Sequence, residues 1–144
     1  RPDSRYAAVI PLFIGALASG RAPVVHGDGL QSRHFTFVSD AVRANLLAAE
    51  AGSQCSGRVY NVAGDRDYTL LDVLGIIETT LRVQVAPMHT APRAGDVRYS
   101  RADLTAAKRD LDYEPSIGLP DGLRITVEAA TDGITPPREE AVGE

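Results

Sequence analysis

The chain of 144 residues is short of several things at once: one cysteine, one methionine, and one lysine against fourteen arginines. A single cysteine, Cys55, rules out an internal disulfide and fits a reducing, cytoplasmic setting. Between serine and glycine neighbours it reads as an inert loop residue. No apolar run is long enough to cross a bilayer, and no signal-peptide pattern opens the chain. There is no excess of positive charge: the net charge is −4. That argues against nucleic acid as a partner. The three histidines, His26, His34 and His89, lack the paired spacing of a zinc site. The opening, RPDSRYAAVIP, has no initiator methionine and reads like the middle of a loop, so the expectation is a piece of a larger protein.

What is present is a mixed α/β pattern. Tyr6, Val9, Ile10, Phe13 and Leu17 form one apolar stripe at helical spacing, ending at Gly20, with Pro11 marking a kink or a late start. APVVH reads as a short strand, GDG as a turn needing positive φ, and RHFTFV as an alternating strand with Arg33, Phe35 and Phe37 on one face. Ser39 or Asp40 can cap the next helix, which would turn Val42, Leu46 and Ala49 inward. GRVYNVAG reads as a buried parallel-type strand needing neighbours on both sides. Thr69 and Asp72 form a capping box before Leu70, Val73, Leu74, Ile77 and Leu81. VQVAPMHTA reads as another strand and PRAGDVRYSRAD as a polar loop. Asp103 caps a short helix ending near Leu111. A last helix runs from about Leu119 to Ala130, with Pro120 in its first turn. Residues 131–144, with two prolines and clustered acids, read as a disordered tail.

Arg33 sits directly after a flexible turn and at the start of a strand. The turn exposes the side chain and the strand fixes its direction. That suggests an anion site, because a guanidinium grips phosphate with two parallel hydrogen bonds. The plain alternative is a surface arginine bridging to a nearby acid.

The stretches VVHGDGLQSRHFTFVSDAVRANLLAAE, VYNVAGD, APRAGDVRYSRADLTAAKRDLDYEP and GLPDGLRITVE resemble the C-terminal part of extended short-chain dehydrogenase/reductases. Among these they are most similar to the UDP-glucose and UDP-N-acetylglucosamine 4-epimerases. The resemblance implies an incomplete α/β fold, the C-terminal portion of an extended Rossmann-type enzyme with mixed short strands and helices. It makes residues 1–130 a substrate-binding part with one strand–helix unit of the Rossmann sheet. It also implies a parent that binds a UDP-sugar, oxidises C4 with NAD and returns the hydride to the other face, in a homodimer. Dehydratases and decarboxylases of the same superfamily share most of these motifs, and a non-catalytic binding module is the reading from another class.

By the same resemblance Arg33, in QSR, binds the diphosphate. Arg93 is a second clamp and Asp96 accepts from the ribose hydroxyls, although Asp and Gly after Pro are also ordinary loop chemistry. Ala8, Val9 and Val24 to His26 would lie along the uracil, with helix core the alternative for Val9. Ser100 would gate the sugar pocket, a small residue leaving room for an acetamido group, although serine is common there in dehydratases too. His34 stands where the family usually has Asp, which removes an acceptor beside Arg33. Phe37 replaces a frequent Tyr, and Asn61 reads as structural. Two family features are missing. No Gly-x-x-Gly-x-x-Gly spacing occurs, and Leu104 stands four residues before the only lysine, Lys108, so no Tyr-x-x-x-Lys pair exists. The expectation is that NAD and the catalytic base belong to an N-terminal half absent from this chain.

Overall fold

A computed structural model describes residues 9–132. The first helix, α1 (Val9–Ala18), buries Phe13, Ile14 and Leu17, and Pro11 lies in the first turn of the described helix. Proline suits such a position because its fixed φ is already helical. Gly20 closes the helix at φ 65°, and the N–H of Arg21 returns to the Ala16 carbonyl at 2.9 Å. This is the left-handed glycine ending that reverses a chain cheaply. The strand that follows, β1 (Val24–His26), pairs in parallel with β4 (Met88–Thr90). The GDG turn behind it places Gly27 and Gly29 at φ 75° and 77°. A Cβ on Gly29 would also lie 2.8 Å from Leu71, so glycine is needed there twice over.

A second small sheet has β2 (Ser32–Arg33) at its centre. It pairs antiparallel with β3 (Tyr68–Thr69) and parallel with β5 (Tyr99–Ser100). The alternating strand expected over RHFTFV therefore stops after its first residue. Both partners are only two residues long, and beyond them the Phe35 carbonyl takes its bond from the Gly64 N–H at 3.0 Å. The shared face is lost with it. Phe35 packs on the main core, and Phe37 lies close against Gly122.

Helix α2 (Val38–Glu50) starts one residue before the expected caps, so neither Ser39 nor Asp40 caps it. Asp40 is buried instead and accepts from the Ser116 N–H, the Ser116 hydroxyl and the Ile117 N–H at 3.1, 2.6 and 3.1 Å. Burial works against its charge, but these bonds outweigh it and hold its pKa below the ordinary carboxylate value. The inward face of α2 is also not the expected one. Ala44 is buried, whereas Val42, Leu46 and Ala49 are exposed. Residues 57–64, read as a buried strand, join no ladder among the described residues. A parallel-type strand needs a partner on each side, and the described residues supply none.

Helix α3 (Leu70–Leu81) follows its sequence pattern closely. Thr69 Oγ1 accepts from the Asp72 N–H at 3.1 Å and Asp72 accepts from the Thr69 N–H at 2.8 Å, closing the capping box. Val73, Leu74 and Ile77 are buried. They meet Phe13, Ile14 and Leu17 of α1, Val25 of β1, and Leu123 and Val127 of α5 (Leu119–Thr131) in the main core. Val83 and Val85 pack on that core, but the strand there is confined to β4. A second core joins Ala44, Ala63, Tyr113 and, from α4 (Thr105–Leu111), Ala107 and Leu111. Asp103 accepts from the N–H and hydroxyl of Thr105 at 2.9 and 2.6 Å, fixing the start of α4. Thr131 closes α5, one residue into the segment expected to be a tail. Residues 133–144 of that segment, and Tyr6 and Ala8 at the other end, lie outside the described residues.

Candidate functional site

Beside the main core a cleft of about 440 Å³ opens between α1, β1, β2 and the loop before β5. Val9, Val24, His26, Arg33, Arg93 and Asp96 all line it. Residues from three separate sequence stretches thus converge on one space. Two local devices bring them there. The glycine turn after β1 leads the chain from one small sheet into β2 of the other, and His26 and Arg33 line the cleft from these two successive strands. The parallel β2–β5 ladder then sets Arg33 opposite Ser100 and draws the 93–98 loop across the cleft mouth.

Arg33 is anchored rather than loose. Its Nη1 donates to the carbonyls of Ser32 and Val97 at 2.7 and 2.6 Å, and its Nη2 donates to Asp96. A guanidinium has five N–H donors. Two of them, at Nε and Nη2, have no partner among the described residues. Asp96 gives one oxygen to Arg33, and its other oxygen has no partner among the described residues. The pair therefore offers two donors and an acceptor side by side, in a half-buried setting where such bonds are stronger than in water.

The remaining arginines sharpen the picture. Eleven arginines fall within residues 9–132, and eight of them pair with an acid. Arg21, Arg82 and Arg93 do not, among the described residues, and Arg21 and Arg93 both line this cleft. Uncompensated positive charge is therefore concentrated where an anion would sit. At the rim, Arg98 donates to both oxygens of Asp28 at 2.7 and 2.9 Å. That contact lowers the Asp28 pKa, helped by the Leu30 N–H, and ties the glycine turn to the loop before β5.

Ser100 lies on β5 beside Arg33 but does not line the cleft. His34 turns away from it. Its Nδ1 accepts from the Ala102 N–H at 3.1 Å, while Arg33 finds its acceptor in Asp96. Sequence reasoning passed over Gln31, which is buried, lines the cleft and donates to the His26 carbonyl at 2.8 Å. A polar residue between a turn and a strand was the available signal. It also passed over Arg21, whose sequence surroundings give no sign that it meets the cleft.

Among the described residues the glycines at positive φ are Gly20, Gly27, Gly29, Gly57 and Gly95, and none of them opens a helix. Lys108 lies on α4, 3.5 Å from Glu114, and lines a different cleft from the arginines. No group of histidine, cysteine and acidic residues among the described residues could hold a metal ion, and no helix there is long and apolar enough to cross a membrane.

Residues 1–63 match the model of the NAD dependent epimerase/dehydratase family. A UDP-glucose 4-epimerase of Mycolicibacterium smegmatis is 33% identical over 122 residues, covering 85% of this chain and 38% of the relative. The crystal structure of a Thermotoga maritima UDP-glucose 4-epimerase with UDP-glucose superposes with a TM-score of 0.85 at 33% identity, over 94% of this chain and 42% of that one. A UDP-N-acetylglucosamine 4-epimerase from Methanobrevibacter ruminantium, in complex with UDP-N-acetylmuramic acid, gives 0.83 at 34%, over 92% of this chain and 42% of that one. Matches extend to a dTDP-glucose 4,6-dehydratase and to a decarboxylase of a UDP-sugar acid. The chain thus spans less than half the length of these relatives.

Proposed function

The chain belongs to the NAD dependent epimerase/dehydratase family, and on that premise we propose that it is the UDP-sugar-binding portion of a 4-epimerase, with UDP-N-acetylglucosamine the favoured substrate. Its fold is the corresponding α/β portion of an extended Rossmann-type dehydrogenase/reductase. In this reading residues 1–130 form the substrate-binding part, and the strand–helix unit around Tyr60 belongs to a Rossmann sheet completed elsewhere in the whole protein. That protein is a cytoplasmic homodimer in which NAD and the catalytic base are held outside this chain.

The observation that carries the proposal is the meeting of Arg33, Arg93 and Asp96 in one cleft with Val24 and His26. A diphosphate would take the two free donors of Arg33 and the unpaired charge of Arg93. The free oxygen of Asp96 suits a ribose hydroxyl. The uracil would lie along Val9 and β1, in the apolar part of the cleft. Ser100 would meet the sugar, where a short side chain leaves volume for an acetamido group. In this reading the chain binds and orients, and the base for the chemistry comes from the rest of the whole protein.

The test is calorimetry on the chain with UDP-N-acetylglucosamine, UDP-glucose, dTDP-glucose and NAD. Binding of the UDP-sugars, strongest for the acetylated one, and no heat with NAD is the expected pattern. Silence toward every UDP-sugar, or micromolar NAD affinity, overturns it. Preference for dTDP-glucose would move the reading to the dehydratases.

A further inference from the structure

His34 has the least ordinary surroundings of any titratable group outside the arginine cleft. It follows Arg33 directly, and its Nδ1 accepts from the Ala102 N–H at 3.1 Å. Accepting at Nδ1 puts the proton of a neutral imidazole on Nε2. That Nε2 is buried and has no partner among the described residues. One hydrogen bond, to a residue 68 positions away, therefore fixes both the orientation and the tautomer of the ring.

We propose that His34 is a positioning residue for the nucleotide cleft, holding in place the segment that orients Arg33. The proposal rests on the reading of the cleft given above. The ladder holding the 93–102 segment against β2 has two register pairs, Ser32 with Tyr99 and Arg33 with Ser100. The Ser32 N–H bond to the Arg98 carbonyl at 2.9 Å extends it at one end, and the His34–Ala102 bond extends it at the other. This same segment supplies Asp96 and the Val97 carbonyl, two of the three acceptors that orient Arg33. Releasing Ala102 loosens the mount of the arginine.

The test combines two measurements on the whole chain. Ring-nitrogen NMR of the wild type should show the Nε2–H tautomer with the Ala102 amide bonded to Nδ1. UDP calorimetry should show His34→Ala binding about five- to tenfold more weakly than wild type, the worth of one hydrogen bond, and His34→Asn, which keeps an acceptor, recovering most of that loss. An Nδ1–H tautomer, an Ala102 amide with no bond to the ring, or equal affinity for wild type and His34→Ala overturns the proposal. Absence of UDP binding sinks the cleft reading instead, and the NMR readouts, which need no variant, then decide the His34–Ala102 link by themselves.

Discussion

Arg33 and Asp96 are 63 positions apart, yet each is placed by the other. Three of the five donors of Arg33 hold it to its own protein and two have no partner among the described residues. On the proposed reading, replacing it removes a phosphate contact and also frees Asp96 to repel an anion. Arg33→Ala should therefore weaken UDP binding by about 1.5–3 kcal/mol, the value of a hydrogen bond to a charged group, and by more than His34→Ala at neutral pH. Arg33→Lys should recover little, since an ammonium cannot reproduce a planar fork. Calorimetry reads both, and equal affinity for wild type and Arg33→Ala would leave the cleft without its anchor. The identity of these residues was legible in short motifs, but their meeting was not. The segment that closes the cleft, residues 93–98, reads as a polar loop, and the two-residue strand behind it has too little pattern to announce a ladder. The ion pair between Arg33 and Asp96 also satisfies the plain alternative and the functional one together, which no linear reading could separate.

At the scale of elements, the helices were legible because a helix is written in one stretch. The stripe of α3 and its capping box specify start, face and end without reference to any other segment. Thr69→Ala should cost about 1 kcal/mol of stability, read as a lower urea midpoint with an unchanged slope. Strands were poorly legible because a strand needs a partner. RHFTFV shortened to fit partners of two residues, and GRVYNVAG found none. That last segment is held by side chains instead. Asp110 on α4 bonds Arg109 at 2.6 Å, Tyr60 at 3.2 Å and Arg58 at 3.1 Å. The contact with Arg109, then Tyr60 and Arg58, depresses the Asp110 pKa to about 2. Tyr60 is pushed up to about 12, first by Cys55 and then by burial and Asp110. Because the folded pKa of Asp110 lies below its unfolded value of about 3.9, its contribution is complete above about pH 4 and is lost as the pH falls toward 2. Thermal melts of wild type and Asp110→Asn should therefore differ at pH 5 and converge on acidification. A gap that persists at low pH would show that the carboxylate charge is not what ties Tyr60 to α4.

For the whole molecule the telling surface is the outer face of α2. Val38, Val42 and Leu46, spaced at i, i+4 and i+8, are 67%, 53% and 58% exposed, and Val59 in the unpaired segment is 91% exposed. Scattered apolar residues on a surface need no explanation, but a stripe in helical register is the pattern of a buried face. The periodicity that pointed Val42 and Leu46 inward was sound about their character, and the described residues simply place nothing over them. Uncovered apolar faces of this kind drive association. The chain should therefore self-associate as its concentration rises, seen as a concentration-dependent mass in sedimentation equilibrium. Val42→Glu together with Leu46→Glu should return it to a monomer at little cost in stability, because both side chains already face water. UDP binding should be unchanged by the pair, since neither residue lines the arginine cleft. A wild-type chain that stays monomeric and melts cooperatively at every concentration would mean that the stripe is tolerated as ordinary surface. Loss of UDP binding in the double variant would instead tie α2 to the cleft by a route that the packing of Ala44 and Asp40 does not provide.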